Sequence, residues 1–202
     1  MRDVVLASRN EGKLKEMQVL LEPLGVQLHS QRDLDLDSAE ETGLTFVENA
    51  LLKAQHAAQH SGWAAIADDS GLVVPCLNGE PGIYSARYAG EQGDDKANND
   101  KLVATLQSRG FFDARQPPVA AFFYCALVYI EHASDPTPCI ATAAWHGSIV
   151  DTARGTEGFG YDPYFLVDHR TSAELAKEEK NSISHRGQAS QNLLKQLHAR
   201  FA

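Results

Sequence analysis

Three features of this 202-residue chain predict an α/β fold built on a mixed sheet. The stretch from Val4 to Val74 alternates short apolar runs with helical periodicity, as βα units do. Two longer runs rich in β-branched and aromatic residues, Val119 to Glu131 and Cys139 to Val150, flank the breakers Asp135-Pro136-Thr137-Pro138 and read as an antiparallel pair. The third feature is Ala64-Ala65-Ile66-Ala67, an apolar run that ends abruptly in Asp68-Asp69-Ser70-Gly71. Aspartate is a poor strand residue, and Gly71 would allow a turn with positive φ. The pair Asp68-Asp69 is therefore expected at the carboxyl end of a buried strand, the edge where open α/β sheets bind ligands. Adjacent ionised carboxylates repel unless a hard cation or a proton offsets them. A metal site and a solvated Asx turn are equally compatible with this stretch alone.

Composition bounds the rest. With 43% hydrophobic and 22% charged residues and no low-complexity tract, residues 1–202 are expected to form one globular domain or a domain with two lobes. A net charge of -9 argues against DNA or RNA as the main partner, because polyanions select basic faces. Cys76, Cys125 and Cys139 form no Cys-x-x-Cys, and their odd number fits reduced buried thiols in a cytoplasmic protein better than a disulfide framework. No apolar run approaches the roughly 20 residues of a membrane helix, and Met1 to Ala7 is too short for a signal peptide.

In chain order, Val4 to Ala7 reads as a strand, Ser8-Arg9-Asn10-Glu11-Gly12 as a loop and Lys13 to Leu24 as a helix with Leu14, Met17, Leu21 and Leu24 on its apolar stripe. Pro23 and Gly25 mark its end. A helix amino terminus above a polar loop, with Lys13 in the first turn, outlines a phosphate cradle. It is not a Walker A loop, which needs Gly-x-x-x-x-Gly-Lys-Ser/Thr, and an ordinary βα turn also fits. After the strand Val26 to His29, Asp33-Leu34-Asp35-Leu36-Asp37 reads as an exposed extended segment with solvated aspartates. Thr45 and Glu48 have the spacing of a capping box, starting a helix that runs to Ser61 with Gly62 as its stop. On it, His56 and His60 are four apart, a metal-compatible spacing, but surface positions explain them better; Lys53 reaches either a phosphate or solvent.

Beyond Leu72 to Val74, Asn78-Gly79 and Pro81-Gly82 mark turns, and Tyr84 to Gly90 reads as an ordered loop. Asp94 to Arg109 is a helix with Leu102 and Leu106 inward, stopped by Gly110. Gly155-Thr156-Glu157-Gly158-Phe159-Gly160-Tyr161-Asp162-Pro163 precedes a strand, Tyr164 to Val167. Its glycines and aromatics suit either a ring face offered to a planar heterocycle or a turn whose rings enter the core. Thr171 to Glu174 repeats the capping-box spacing. His185 and Arg186 are donors in a short loop before a last helix with Leu193, Leu194 and Leu197 inward.

These clusters occur together and in order. The blocks Ser8-x-Asn10-x-x-Lys13, Glu40-Glu41-Thr42-Gly43-x-Thr45-Phe46-x-Glu48-Asn49-Ala50, Ala67-Asp68-Asp69-Ser70-Gly71-Leu72, Pro81-Gly82-x-Tyr84-Ser85-Ala86-Arg87-Tyr88, Phe159-Gly160-Tyr161-Asp162-Pro163 and Ser184-His185-Arg186-Gly187 span nearly the whole chain. On them the chain closely resembles the inosine triphosphate pyrophosphatase family. Position 8 is Ser where that family usually has Thr, and Arg9 puts an unusual cation beside the loop.

The resemblance implies an elongated mixed sheet flanked by helices, an active-site cleft between two lobes, and a homodimer. It implies Mg²⁺-dependent hydrolysis of non-canonical purine nucleoside triphosphates (ITP, dITP, XTP) to monophosphate and pyrophosphate, which keeps deaminated purines out of DNA and RNA. Carried over, Asp69 is the proton acceptor and a metal ligand, and Glu40, ahead of Glu41, is the second ligand. Ser8, Arg9, Asn10, Glu11, Gly12, Lys13, Lys53 and Ser70 would surround the phosphates. Phe159, with Gly160 and Tyr161, would stack on the base, Asp162 would accept its N1–H, and Lys180, His185 and Arg186 would contact it, one donor meeting the 6-keto oxygen. A phosphatase with an Asp nucleophile, releasing orthophosphate, and a non-catalytic nucleotide sensor are the rival readings.

Overall fold

The computed structural model describes residues 2–9, 11–113, 115 and 117–202. Seven strands form one sheet in the order β2-β1-β3-β4-β5-β6-β7. They are β1 (Arg2–Leu6), β2 (Val26–Ser30), β3 (Ala64–Val73), β4 (Val119–Ile130), β5 (Cys139–Ile149), β6 (Phe165–Val167) and β7 (Arg170–Thr171). The helices are α1 (Glu11–Leu21), α2 (Phe46–Ser61), α3 (Asp95–Ser108), α4 (Lys177–Ile183) and α5 (His185–Phe201). Strand β1 pairs parallel with β2 and β3, while β6 pairs antiparallel with β5 and β7, so the sheet is mixed as expected. No described helix is long and apolar enough to cross a membrane. The chain divides into two compact units, Met1–Asp69 with Cys125–Ala143 and Gln188–Ala202, and Ser70–Tyr124 with Ala144–Gly187.

In the first unit, Val4, Leu6, Leu28, Ile66, Leu127 and Tyr129 form the core with Leu21, Leu193 and Leu197, and Leu14, Met17 and Leu24 pack at its margin. The predicted first helix is shorter than its periodicity suggests. It closes at Leu21 and tightens into a 3₁₀ turn, Glu22–Leu24, because Pro23 cannot extend the α-helical ladder and Gly25 turns left-handed at φ 69°. Helix α2 starts as predicted: the Thr45 hydroxyl accepts the Glu48 N–H at 3.2 Å, the Glu48 carboxylate accepts from Leu44 N–H at 2.9 Å, and Gly62 ends it at φ 73°. The segment Asp33 to Asp37 is not extended. Asp33 N–H and Asp35 N–H donate to Ser30 and Arg32 carbonyls, with Asp35 at φ 51°, a conformation aspartate tolerates. Its three aspartates are exposed, as read.

The second unit buries Leu72, Leu77, Leu102, Leu106, Trp145, Ile149 and Phe165. Asp94 caps α3 by accepting the Ala97 N–H at 2.9 Å. Part of the predicted loop at Tyr84 coils into a 3₁₀ helix, Gly82–Arg87. The Thr171 to Glu174 box forms but encloses only the 3₁₀ turn Ser172–Glu174. His185 and Arg186 are not in a loop: they open α5, with Ser184 as the break from α4.

The structure also corrects the role of Gly71. Strand β3 continues through Asp68-Asp69-Ser70-Gly71 to Val73, and Gly71 does not adopt positive φ. A Cβ there would lie 2.4 Å from Ser85 Oγ and 2.5 Å from the Gly82 carbonyl, so glycine serves close approach of a neighbouring segment. The carboxylates nonetheless lie past the carboxyl end of β1, whose pairing with β3 stops at Leu6 and Ile66.

Candidate active site

Successive side chains of a strand leave on opposite faces, and β3 uses this to send its two carboxylates to different helices. Asp68 faces α1, where the Lys13 ammonium donates to both its oxygens at 2.9 and 2.8 Å. Asp69 faces α2, where Lys53 and Asn49, one helical turn apart and so on one face, donate to it at 3.0 and 3.4 Å. The same Lys53 ammonium donates to Glu41 at 3.0 Å. These groups are sheltered: Lys53 is 16% and Asp69 12% exposed. Burial pushes the Asp69 carboxyl above its usual range, with Glu41 adding to the rise and Lys53 opposing it. Burial works against the Lys53 ammonium, but Asp69, Asp68 and Glu41 together outweigh it and raise its pKa.

Beside these pairs lies a cavity of about 240 Å³, into which Ser8, Lys13, Gln31, Ser38, Glu41 and Lys53 contribute. Arg9 also lines it and donates to the Leu36 carbonyl at 3.2 Å. Of the residues singled out from the sequence, Ser8, Arg9, Lys13 and Lys53 line this cavity, and Asp69 pairs with Lys53 at 3.0 Å. Glu11 is exposed and pairs with Arg32 at 3.3 Å, and Gly12 lies exposed in the first turn of α1. Asn10 lies outside the described residues. Glu40 is exposed, and it is Glu41 that meets Lys53 here. Gln31 and Ser38, which line the cavity, and Asn49, which donates to Asp69, were not singled out from the sequence; only Asn49 left a signal, its spacing of four from Lys53.

In the second unit, Gly158 (φ 82°) and Gly160 (φ 60°) turn the chain around Phe159, which is 61% exposed. A Cβ on Gly158 would lie 2.1 Å from Asp162 Oδ2, so the carboxylate needs glycine there. Asp162 is 3% exposed and occupied: it accepts the Phe159 N–H at 2.9 Å, the Ser172 hydroxyl at 2.6 Å, and the Lys180 ammonium. These contacts tie the loop together. Tyr161 points its ring into the core, its hydroxyl donating to the Ser85 carbonyl at 2.8 Å. Phe159 is the ring left facing outward, with the Arg186 guanidinium 5.2 Å and the Lys180 ammonium 5.5 Å from its centroid. Arg186 donates to the Ser70 hydroxyl at 3.0 Å, and its Nε is buried without a hydrogen-bond partner among the described residues. His185 is buried, stacked on Phe123 at 4.9 Å with planes 11° apart.

Among the described residues no cluster of three or more His, Cys, Asp or Glu side chains is arranged to hold a metal ion. His56 and His60 lie with ring centroids 4.2 Å apart, and His60 Nδ1 meets the His56 carbonyl at 2.8 Å.

Comparison with known proteins places this arrangement. The model of the Ham1 family matches residues 4–196. A dITP/XTP pyrophosphatase of Shigella flexneri is 53% identical over 199 residues, covering 98% of both chains, and that of Escherichia coli strain K12 is 52% identical with the same coverage. Among solved structures, a HAM1 protein from Coxiella burnetii superposes with a TM-score of 0.91 at 44% identity, covering 98% of this chain and 100% of its own. The Staphylococcus aureus Ham1 protein gives 0.87 at 38% identity, with 98% and 100% covered.

Proposed function

The chain belongs to the Ham1 family, and from that premise we propose which of its residues carry out the family's reaction. The protein is a nucleoside triphosphate pyrophosphohydrolase, hydrolysing non-canonical purine nucleoside triphosphates (dITP, XTP and ITP) to monophosphate and pyrophosphate. The observation that carries the assignment of roles is the Lys53 ammonium held between Glu41 and Asp69 beside a polar cavity.

Asp69 accepts the proton of the water that attacks the α-phosphorus. An ordinary carboxylate is a feeble base at neutral pH; burial raises the pKa of this one and Lys53 opposes the rise. Lys53 and Asn49 fix its orientation. Ser8 and Lys13 hold phosphate oxygens from the cavity, with Asn10 and Ser70 assigned to the same task from the motif resemblance.

The site fits a hard divalent cation. Its candidate ligands are all carboxylate oxygens; Asp69 shares the Lys53 ammonium with Glu41, and Glu40, exposed on the adjoining residue, is carried over from the motif resemblance. Asp69, with Glu40 as the second ligand, would hold Mg²⁺, and so small a protein donor set leaves the remaining positions to water and phosphate, as Mg²⁺ commonly requires. A bound Mg²⁺ supplies charge neutralisation and a better pyrophosphate leaving group.

Phe159 stacks on the purine, and the Arg186 guanidinium, 5.2 Å from that ring's centroid, donates to the 6-keto oxygen. Adenine presents a 6-amino donor to the same donor, leaving both unpaired, and such mismatches discriminate strongly. A cytoplasmic homodimer is carried over from the cysteine usage and the family resemblance; sedimentation of the purified protein would test the dimer. The test of the function is a panel of dITP, XTP, ITP, GTP and ATP assayed for pyrophosphate and orthophosphate. Pyrophosphate from the first three, abolished by chelation and restored by Mg²⁺, supports the reading. Orthophosphate as the product, or full activity after exhaustive chelation, contradicts it.

A further inference from the structure

We infer that Asp95 and Asn99, in the first two turns of α3, are positioning residues for the aromatic ring that receives the purine. The inference rests on the reading that Phe159 stacks on the base, and adds the groups that aim the ring. Phe159 is 61% exposed, so core packing does not set its direction; the backbone on either side of it must. That backbone is held at the next residue by side chains from α3. The Gly160 N–H donates to the Asp95 carboxylate at 2.7 Å, and the Gly160 carbonyl accepts from Asn99 Nδ2 at 2.8 Å. Both polar groups of one residue are therefore gripped by an i, i+4 pair on a single helix face. Gly160 sits at φ 60°, a conformation the grip maintains.

Asn99 bears the mark of a residue kept for position and not for stability. It is 6% exposed, its amide donates also to the Asp95 carbonyl at 2.8 Å, and its Oδ1 is buried with no hydrogen-bond partner among the described residues. Flipping the amide would bring that oxygen against two carbonyls, so the orphaned acceptor follows from donating to both. A buried unpaired acceptor opposes folding, and an apolar residue would remove it. What an apolar residue would also remove is the hold on Gly160. A ring fixed before the nucleotide arrives loses less entropy on stacking, which strengthens binding without touching the reacting atoms.

The experiment is a double-mutant cycle on the full-length enzyme with inosine triphosphate, measuring KM and kcat for Asn99→Ala, Phe159→Ala and the pair. Asn99→Ala is expected to raise KM by about threefold to tenfold, with kcat nearly unchanged. In the Phe159→Ala background it is expected to add little. Asp95→Ala, at an exposed position, should repeat this pattern, and Asp95→Asn, which keeps an oxygen acceptor for the Gly160 N–H, should restore most of the parental KM. Should Asn99→Ala fail to fold, the Asp95 variants carry the cycle alone. Equal KM increases with and without the Phe159 ring would overturn the inference while leaving the stacking role intact. If Phe159→Ala leaves KM unchanged, the stacking reading falls and this inference with it.

Discussion

Replacing Arg186 with alanine removes one guanidinium that currently does two visible things: it donates to Ser70 Oγ at 3.0 Å and lies 5.2 Å from the Phe159 ring centroid. Its Nε is buried without a hydrogen-bond partner among the described residues. A charge-assisted hydrogen bond to the 6-keto oxygen is worth about 1.5–3 kcal/mol, so Arg186→Ala should lower kcat/KM for inosine triphosphate roughly tenfold to hundredfold. Adenosine triphosphate never had that partner and should lose much less, so the ratio between the two substrates should shrink. The Ser70 contact is lost for every substrate alike and cancels in the ratio. Lys13→Ala supplies the comparison. It removes a phosphate-side cation and should depress all triphosphates about equally, although it also leaves Asp68, 9% exposed, without its Lys13 partner, so its melting temperature must be recorded alongside. The assay is pyrophosphate release from both nucleotides at subsaturating concentration. A parallel loss for the two substrates in Arg186→Ala would refute the base-reading role and make Arg186 a phosphate ligand or a structural residue.

Asp69→Asn keeps the Lys53 and Asn49 neighbours while removing the basicity, so turnover should collapse with nucleotide affinity by calorimetry changing far less; turnover near the parent rate would move the base role elsewhere. Gly71→Ala places a methyl 2.5 Å or less from Gly82 O and Ser85 Oγ, and overpacking of this kind costs about 1–3 kcal/mol, read as a melting temperature lower by several degrees; an unchanged value would show that the contact yields freely. Asp135, its carboxyl held down to about 2 against the pull of burial by the N–H groups of Glu131 and Thr137, the Thr137 hydroxyl and Arg200, contributes stability that is present above the unfolded aspartate pKa. That contribution should fade as pH falls from about 4 toward 2, and Asp135→Asn should flatten this part of the stability profile; an identical acid limb in the variant would contradict it.

What the sequence revealed and what it hid follow from the range of the forces involved. Helix ends were legible because their signals are local: Thr45 caps α2 by accepting the Glu48 N–H, and Gly62 ends the same helix. The mixed sheet was legible from the two long runs that became β4 and β5. Gly71 was misread because its reason is a segment fourteen residues away at Ser85, invisible in a local pattern that equally suits a turn. Asp162 and Tyr161 were read as ligand groups from a motif, which does not show that the first meets Lys180 and Ser172 and the second packs in the core. Lys53 was ambiguous on an alanine-rich helix until Glu41 and Asp69 arrived from different parts of the chain to share it. Asp95 and Asn99 looked like ordinary polar residues of a helix start, because their partner Gly160 lies more than sixty residues downstream.

The central claim is that water, delivered to Asp69, attacks the α-phosphorus. Hydrolysis of inosine triphosphate in water enriched in heavy oxygen, stopped within one turnover and read by mass spectrometry, tests it directly. The account predicts the label in the monophosphate and none in the pyrophosphate, in the parent enzyme and in the residual turnover of Asp69→Asn alike. Label in pyrophosphate would place the attack on the β-phosphorus and contradict the account, and label in orthophosphate would make the protein a phosphatase.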